Sequence, residues 1–373
     1  MCCFFDFVRL KFKQHAVNFE IMPFLSVRSI MVQVGIVGAT GYTGSELIRL
    51  LLSHSSVQIE CVAARSNHGT KVSEIFPQFA GLTSLEYEPI DVERLKSLDV
   101  VFFATPHGVA MQYAPKLTSA GVLVVDLAAD YRIKDAGEFT RWYAMEHSDP
   151  AGLASAVYGL SEVNREALKS ARLIANPGCY PTTALLGLYP LAVNQLHPLG
   201  QVIIDAKSGV SGAGKKVSES NLYTEVTDSF KAYGLGGHRH QPEIVDGLRD
   251  MGLKVENVRF TPHLVPMVRG MLSTIYVTLS VEDGARDIHA LYRKCYKDEA
   301  FIDILDRGQF PETRSVRGSN RLKVGIFQDK TQLTIVVVQD NLVKGAAGQA
   351  VQNMNLALGL NESLGVSQIP LSP

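Results

Sequence analysis

Short unbroken apolar runs alternate with amphipathic stretches through the first half of the chain. Val32–Val37, rich in Val and Ile, and Val57–Ala63 read as strands, and Val100–Ala104 and Val122–Leu127 are short, largely apolar runs, the pattern of strands buried on both faces of a parallel sheet. Between them, Gly44–Ser53 places Leu47, Ile48, Leu51 and Leu52 on one helical face, and Val109–Ala120 is a second helical stretch. Strands alternating with helices predict a doubly wound α/β sheet. Ala171–Ala175 adds a strand that runs into an Asn176-Pro177-Gly178 turn. After it the texture changes. Thr183–Leu196 is helical, Val202–Ala206 is a strand, and a long Gly/Ser-rich loop follows. Val258–Pro262, Ser273–Leu279 and Leu333–Gln339 alternate like strands of an antiparallel sheet, so the second half predicts an α+β domain. Gln349–Leu358 reads as a closing helix.

Composition narrows this picture in a few places. At 373 residues the chain exceeds one ordinary hydrophobic core, which favours two domains. A net charge of -1 and the lack of any basic stripe argue against nucleic acid as a partner. No apolar run approaches the roughly 20 residues of a membrane span, so no membrane partner is expected. Cys2, Cys3, Cys61, Cys179 and Cys295 are scattered, which suits a reducing compartment, the cytoplasm, and not a disulfide scaffold. There is no CxxC and no HExxH, so no metal site is expected. Residues 1–30 form an irregular extension, with Arg9, Lys11, Lys13 and Arg28 but also Asp6 and Glu20. They read as an untied terminus or as sequence upstream of a functional start at Met31, with a targeting peptide as the alternative.

The first strand leads into Gly38-Ala39-Thr40-Gly41-Tyr42-Thr43-Gly44 and then a helix. Glycines there let backbone amides approach a pyrophosphate at a helix N-terminus, which makes residues 31–178 a Rossmann-type dinucleotide-binding domain. The second strand ends in Arg65 and Ser66 where an NAD-preferring fold places an acid. An arginine and a hydroxyl suit a 2′-phosphate, so NADP is favoured over NAD. Thr105-Pro106-His107-Gly108 ends another strand and borders the expected nicotinamide position.

Residues 179–345 form the expected catalytic and dimerising domain, with 346–360 packing back on the first. Cys179 follows the Asn176-Pro177-Gly178 turn at or just before a helix, with Pro181 in its first turn. A helix N-terminus favours a thiolate and lowers its pKa. A buried structural thiol is the alternative, and it is the reading for Cys61; Cys295 shows no local activation. In His238-Arg239-His240 two imidazoles flank a cation. In an extended segment the imidazoles share a side, where either could move a proton; a polar helix start with Glu243 as a cap is the alternative. Arg132, beyond the strand ending at Asp126, could clamp a phosphate or carboxylate bidentately. Lys207-Ser208-Gly209-Val210-Ser211-Gly212-Ala213-Gly214 is a candidate anion nest.

Together these segments resemble the N-acetyl-γ-glutamyl-phosphate reductase family. The resemblance is carried by GIVGATGYTGSEL, ATPHG, VVDLAADYR, ANPGCYPTT, DAKSGVSGAG, NLYTE, AYGLGGHRHQPEI and DNLVKGAAGQAVQNMN, in that order, covering about Met31 to Gly359. It implies a semialdehyde dehydrogenase-like fold and a step of arginine biosynthesis. The implied reaction converts N-acetyl-γ-glutamyl phosphate and NADPH to N-acetylglutamate 5-semialdehyde, NADP and phosphate, through a thioester on Cys179. By the same resemblance one of His238 and His240 is the acid/base. The related aspartate-semialdehyde dehydrogenases hold phosphate with an Arg and an Asn near the nucleophile, and the positions that look like matches are Arg132 and Asn176; Lys207 and Arg239 are further substrate-binding candidates, and Asn341 looks placed near the nicotinamide. Ala128 stands where the family often has Ser. Aspartate-semialdehyde dehydrogenase is the rival reading, and its wording at ANPGCYP and GHRHQPEI differs. The sheet-rich second domain suits a homodimer or homotetramer.

Overall fold

The computed structural model describes residues 31–371; the extension expected for residues 1–30, with Cys2 and Cys3, lies outside them. Met31–Pro373 forms one compact unit. Within it are two seven-stranded sheets. The first contains β1 (Val32–Val37), β2 (Val57–Ala63), β3 (Tyr87–Glu88), β4 (Val100–Phe103), β5 (Leu123–Asp126), β6 (Val157–Tyr158) and β7 (Leu173–Ala175). Their order is β3-β2-β1-β4-β5-β7-β6, and every pairing is parallel. The largely apolar runs become strands with both faces covered: all four residues of β4, and all four of β5, are buried. Strand order reverses between β1 and β4, and a ligand crevice opens beyond the carboxyl ends of strands at such a switch point.

The second sheet contains β8 (Gln201–Ser208), β9 (Lys231–Ala232), β10 (Asn257–Leu264), β11 (Met271–Thr278), β12 (Ile302–Ile304), β13 (Leu322–Asp329) and β14 (Gln332–Gln339). Its order is β12-β13-β14-β11-β8-β10-β9. The expected antiparallel sheet is in fact mixed, because β8 pairs with β10, and β12 with β13, in parallel. Period-two alternation reports one buried face and is silent on strand direction. β12 and β13 carry no signal distinct enough to have been anticipated.

Seven helices position the site: α1 (Tyr42–Leu51), α2 (Ala110–Ser119), α3 (Ser161–Leu168), α4 (Cys179–Val193), α5 (His240–Asp250), α6 (Ile288–Cys295) and α7 (Gly348–Ala357). α4 starts four residues before the Thr183–Leu196 stretch read as helical, so Cys179 is its first helical residue. This helix is apolar nearly all round and is a core helix, with Leu185, Leu186, Leu188 and Leu191 packed against Ile204, Ile275, Ile335 and Val337 of the second sheet. α7 belongs to the other core: Ala350, Val351 and Met354 pack with Val34, Ile36, Leu47 and Val100. A single π-helical turn, Val343–Ala347, leads into α7.

Candidate active site

The glycine loop sits at the switch point. Gly38 has φ +89°, and a Cβ there would lie 2.3 Å from the Ala104 carbonyl oxygen at the end of β4. A Cβ on Gly44 would lie 2.6 Å from the Ala39 Cα, so α1 can pack closely on the loop only without one. Gly41 differs, since a Cβ there would meet nothing nearer than 3.6 Å and its outer side is open. No side chain caps the first turn of α1, which leaves its amides free for an anion. Across the switch point, Thr105 Oγ1 and His107 Nδ1 are buried without a hydrogen-bond partner. An open glycine, uncapped amides and orphaned polar atoms at one crevice are what a dinucleotide needs, so the residues fit that cofactor. Ala39, Thr40, Tyr42, Thr43 and Pro106 lie along the same loops. Arg65 and Ser66 follow β2, both exposed, and Arg65 makes no ion pair with any described residue.

Cys179 lies at the foot of a cleft of ≈ 670 Å³, lined also by His107, Tyr143, Tyr180, Lys231, Tyr233, His238, Arg239 and His240. Its turn is held from every side. The Glu243 carboxylate accepts from the Gly178 amide at 2.7 Å and from the Tyr158 hydroxyl at 2.9 Å. Gln339 Nε2 donates to the Cys179 carbonyl at 2.7 Å. A Cβ on Gly345, in the π turn, would lie 2.9 Å from the Cys179 Cβ. The next residue back, Lys344, is wholly buried and donates to Glu162 at 2.6 Å and to Gln352 at 2.9 Å.

Burial overturns the expected acidity of this thiol. Its pKa is pushed up to about 11, chiefly by burial, which outweighs the lowering by Arg132 and by the amides of Cys179 and Tyr180. The helix terminus is present, but the low dielectric around the sulfur dominates. The thiol is therefore neutral near pH 7 and needs a base as it attacks.

The histidines are the candidates for that base. Arg239 has φ -62° and ψ -18°, and His240 opens α5, so of the two alternatives the segment takes the helix start and not the extended form. The imidazoles still converge, 4.9 Å apart between ring centroids, each edge-on to Tyr180 at 5.7 and 5.8 Å. His240 is held well below the ordinary histidine range, by burial first and then by His238, Arg132, His107 and Arg239. A Cβ on Gly178 would lie 2.6 Å from His240 Nε2, which puts that nitrogen against the residue preceding the thiol. His240 Nδ1 has no partner, whereas His238 Nδ1 accepts from the His240 amide at 3.1 Å. His107 and His238 are each lowered to about 4, mainly by burial.

Several expected ligand contacts are committed elsewhere. Arg132 donates from Nε to the Asn176 carbonyl and from Nη2 to the Leu127 carbonyl, both at 2.8 Å, and from Nη1 toward Glu243 at 3.4 Å. Its fork supports the turn and is not free to clamp a phosphate. Asn176 donates to the Ala346 carbonyl at 3.1 Å and accepts from Asn353 at 3.0 Å. Asn341 accepts from the Gly270 amide at 2.8 Å and donates to Ser211 at 2.9 Å, which fixes the loop after β8. In that loop Gly209, Val210 and Ser211 amides donate to Gly270, Met267 and Val268 carbonyls, so the expected nest is closed. Lys207 pairs with Asp205 at 2.7 Å, on the strand face opposite buried Ser208. Cys61 is buried, with its thiol pushed up to about 12, and Cys295 is raised to about 11. Among the described residues no group of three or more His, Cys, Asp or Glu side chains could hold a metal ion, and no helix is long and apolar enough to cross a membrane.

Residues 33–171 match the family described as semialdehyde dehydrogenase, NAD binding domain, and residues 179–341 match semialdehyde dehydrogenase, dimerisation domain. The chain is 52% identical over 349 residues, 92% of its length and 100% of the relative's, to N-acetyl-gamma-glutamyl-phosphate reductase of Acinetobacter baumannii (strain SDF). The chain belongs to the N-acetyl-γ-glutamyl-phosphate reductase family. Identity to the same-named protein of Psychrobacter sp. (strain PRwf-1) is 52% over 357 residues, again 92% of this chain and 100% of the relative. The fold is shared more widely. Aspartate semialdehyde dehydrogenase II of Vibrio cholerae, complexed with ASA, superposes with TM-score 0.67 at 19% identity, covering 88% of this chain and 98% of that one. Aspartate semialdehyde dehydrogenase with NADP from Candida albicans gives 0.59 at 19% identity, over 87% and 98%. Against this family background, Glu243, Gln339, Gly345 and Tyr158 are the site residues that sequence reasoning missed. Each acts through a contact between segments far apart in the chain, which leaves no local signal.

Proposed function

We propose that the chain catalyses the NADPH-dependent conversion of N-acetyl-γ-glutamyl phosphate to N-acetyl-L-glutamate 5-semialdehyde, in arginine biosynthesis. The observation that carries the chemistry is a neutral imidazole, His240, set against the residue that precedes a half-buried, neutral thiol. The substrate assignment is carried by the 52% identity to reductases of that name over their whole length.

His240 takes the Cys179 proton as sulfur attacks the acyl carbon. The carbon–oxygen bond to phosphate then breaks, phosphate leaves and takes its proton from solvent, and a thioester remains on Cys179. When bound, NADPH supplies the hydride that reduces this thioester carbon, with Gly38 to Thr43 and Pro106 to hold it and Arg65 and Ser66 at its 2′-phosphate. The carbon–sulfur bond of the resulting thiohemiacetal breaks as the aldehyde carbonyl forms, and His240 returns the proton to sulfur. Arg239 meets the phosphate, while Arg132 and Asn176 hold the turn rigid. The enzyme works in the cytoplasm as a homodimer or homotetramer, a reading supported by the match to a dimerisation domain.

The test is phosphate-dependent oxidation of N-acetylglutamate semialdehyde by purified protein with NADP. Cys179→Ser should lower kcat by on the order of 10⁴-fold or more. Activity that survives the substitution would sink the covalent route. Faster turnover of aspartate semialdehyde would sink the substrate, and a preference for NAD would sink the reading of Arg65 and Ser66.

A further inference from the structure

The cleft above Cys179 is electrostatically lopsided. Its lining residues include no aspartate and no glutamate. Arg239 and Lys231 are its arginine and lysine, and neither makes an ion pair or side-chain hydrogen bond to any described residue. By contrast Arg132, Arg165, Lys207, Arg269 and Lys344, half-buried or buried elsewhere, all face carboxylates. Two unmatched positive charges on one half-enclosed wall, with no acid among them, make a site for an anion that carries charge at two separated points.

The two cations occupy different parts of that wall. Arg239 lies between the two catalytic-site histidines in the chain, with its guanidinium 5.4 Å from the Tyr143 ring centroid, and that ring lies 4.9 Å from His107. Its charge helps depress His107, His238 and His240, so it stands within electrostatic reach of the reacting centre. Lys231 lies on the edge strand β9, opposite Leu264, and is not among the charges that shift any of those imidazoles. Tyr233, two residues on in an extended segment, shares its side of the chain and bonds through its hydroxyl to Tyr180 at 3.1 Å. The wall thus runs from Arg239 beside the histidines, past Tyr180 and Tyr233, to Lys231.

We infer that Lys231 is a specificity-determining residue, whose ammonium receives the substrate carboxylate remote from the reacting carbon while Arg239 takes the phosphate. The inference rests on the acyl-phosphate reading above. In that substrate three carbons separate the reacting carbonyl from the carboxylate, so its anionic ends call for cations at two places on the wall, and Arg239 and Lys231 both line it. A flexible lysine on an edge strand suits a point charge at the far end, and a planar guanidinium suits the phosphate. A substrate without the remote carboxylate forfeits the Lys231 contact, and so does a skeleton too short to bring that carboxylate to the edge strand.

The experiment compares two aldehydes in the oxidative direction with NADP and phosphate: N-acetylglutamate 5-semialdehyde, and 4-acetamidobutanal, which is the same molecule without its carboxylate. The wild-type KM ratio should favour the carboxylated aldehyde about 10- to 100-fold, the worth of a charge-assisted contact. In Lys231→Met that ratio should collapse toward one, with kcat for the carboxylated aldehyde changed far less than KM. Lys231→Arg should restore most of it. KM for phosphate should respond to Arg239→Met and not to Lys231→Met. A ratio unchanged in Lys231→Met, an equal loss on both aldehydes, or a rise confined to the KM for NADP each overturns the inference. Wild-type protein that fails to oxidise N-acetylglutamate semialdehyde defeats the parent reading, and this inference with it. Wild-type turnover with an unaltered ratio in the variant defeats this inference alone.

Discussion

The turn that carries Cys179 and the wall that faces it are built in opposite ways. Around the turn the strong donors are spent inside the protein: Arg132 on two carbonyls and Glu243, Asn176 on Ala346, Asn353 on Asn176, and Gln339 Nε2 on the Cys179 carbonyl. On the wall Arg239 and Lys231 are unpaired, and His107 and His240 each keep an orphaned Nδ1. The difference separates two jobs. A nucleophile must be held to within a fraction of an ångström, and a dense, satisfied network does that. A ligand can bind only where polar groups remain unsatisfied without it. Arg132 and Asn176, expected to touch substrate, and Asn341, expected near the nicotinamide, fall on the satisfied side and act through position.

Removing the base tests the most direct link between the two regions. His240→Asn should lower kcat by about 10²- to 10⁴-fold, the usual worth of a general base. His238→Asn should cost much less, and the reverse order, seen in steady-state kinetics, would exchange their roles.

The next contrast sets a buried charge against an exposed one. Glu243→Ala leaves Arg132 buried without its carboxylate and strips the Gly178 amide, so stability should fall by about 3–5 kcal/mol. Arg239→Met, on the exposed wall, should change stability by within about 0.5 kcal/mol while raising KM for phosphate. Urea denaturation of the two variants checks this, and equal losses would erase the distinction between turn and wall.

The smallest expected effect is a pH slope. His107 and His238 titrate near 6.5 when unfolded and near 4 in the folded protein, burial being the main cause. Between those values the unfolded chain binds more protons. Their contribution to stability is therefore full above pH 6.5 and is lost as pH falls through the folded value near 4. The urea midpoint should drop across that window, and His238→Asn should flatten the drop. A midpoint that rises on acidification would contradict the neutral, buried state of these imidazoles.

Much of the first sheet was legible because a strand buried on both faces is largely apolar, as β4 is throughout and β5 is up to Asp126. The glycine loop was legible for a similar reason, since Gly38 and Gly44 stand where a Cβ would collide with backbone. The second sheet was harder. Alternation located β8, β10, β11 and β14, but β12 and β13 went unseen and the mixed strand direction was invisible. Cys179 was expected at or just before a helix with Pro181 in its first turn, and the structure makes the thiol the first helical residue of α4, upstream of the Thr183–Leu196 stretch read as helical.

By itself the sequence determined the dinucleotide loop, the two-part layout, and the identity of the thiol and the imidazoles, because each depends on residue type at short spacing. Only the tertiary structure decided what those groups experience. Burial raised the thiol that local position alone would have made acidic, and contacts from Glu243, Gln339 and Gly345 fixed its turn. Whether Arg132, Lys207, Arg239 and Lys231 are spent or free was settled by neighbours distant in the chain. The dielectric around a charge and the partners within its reach are properties of packing, and no stretch of sequence carries them.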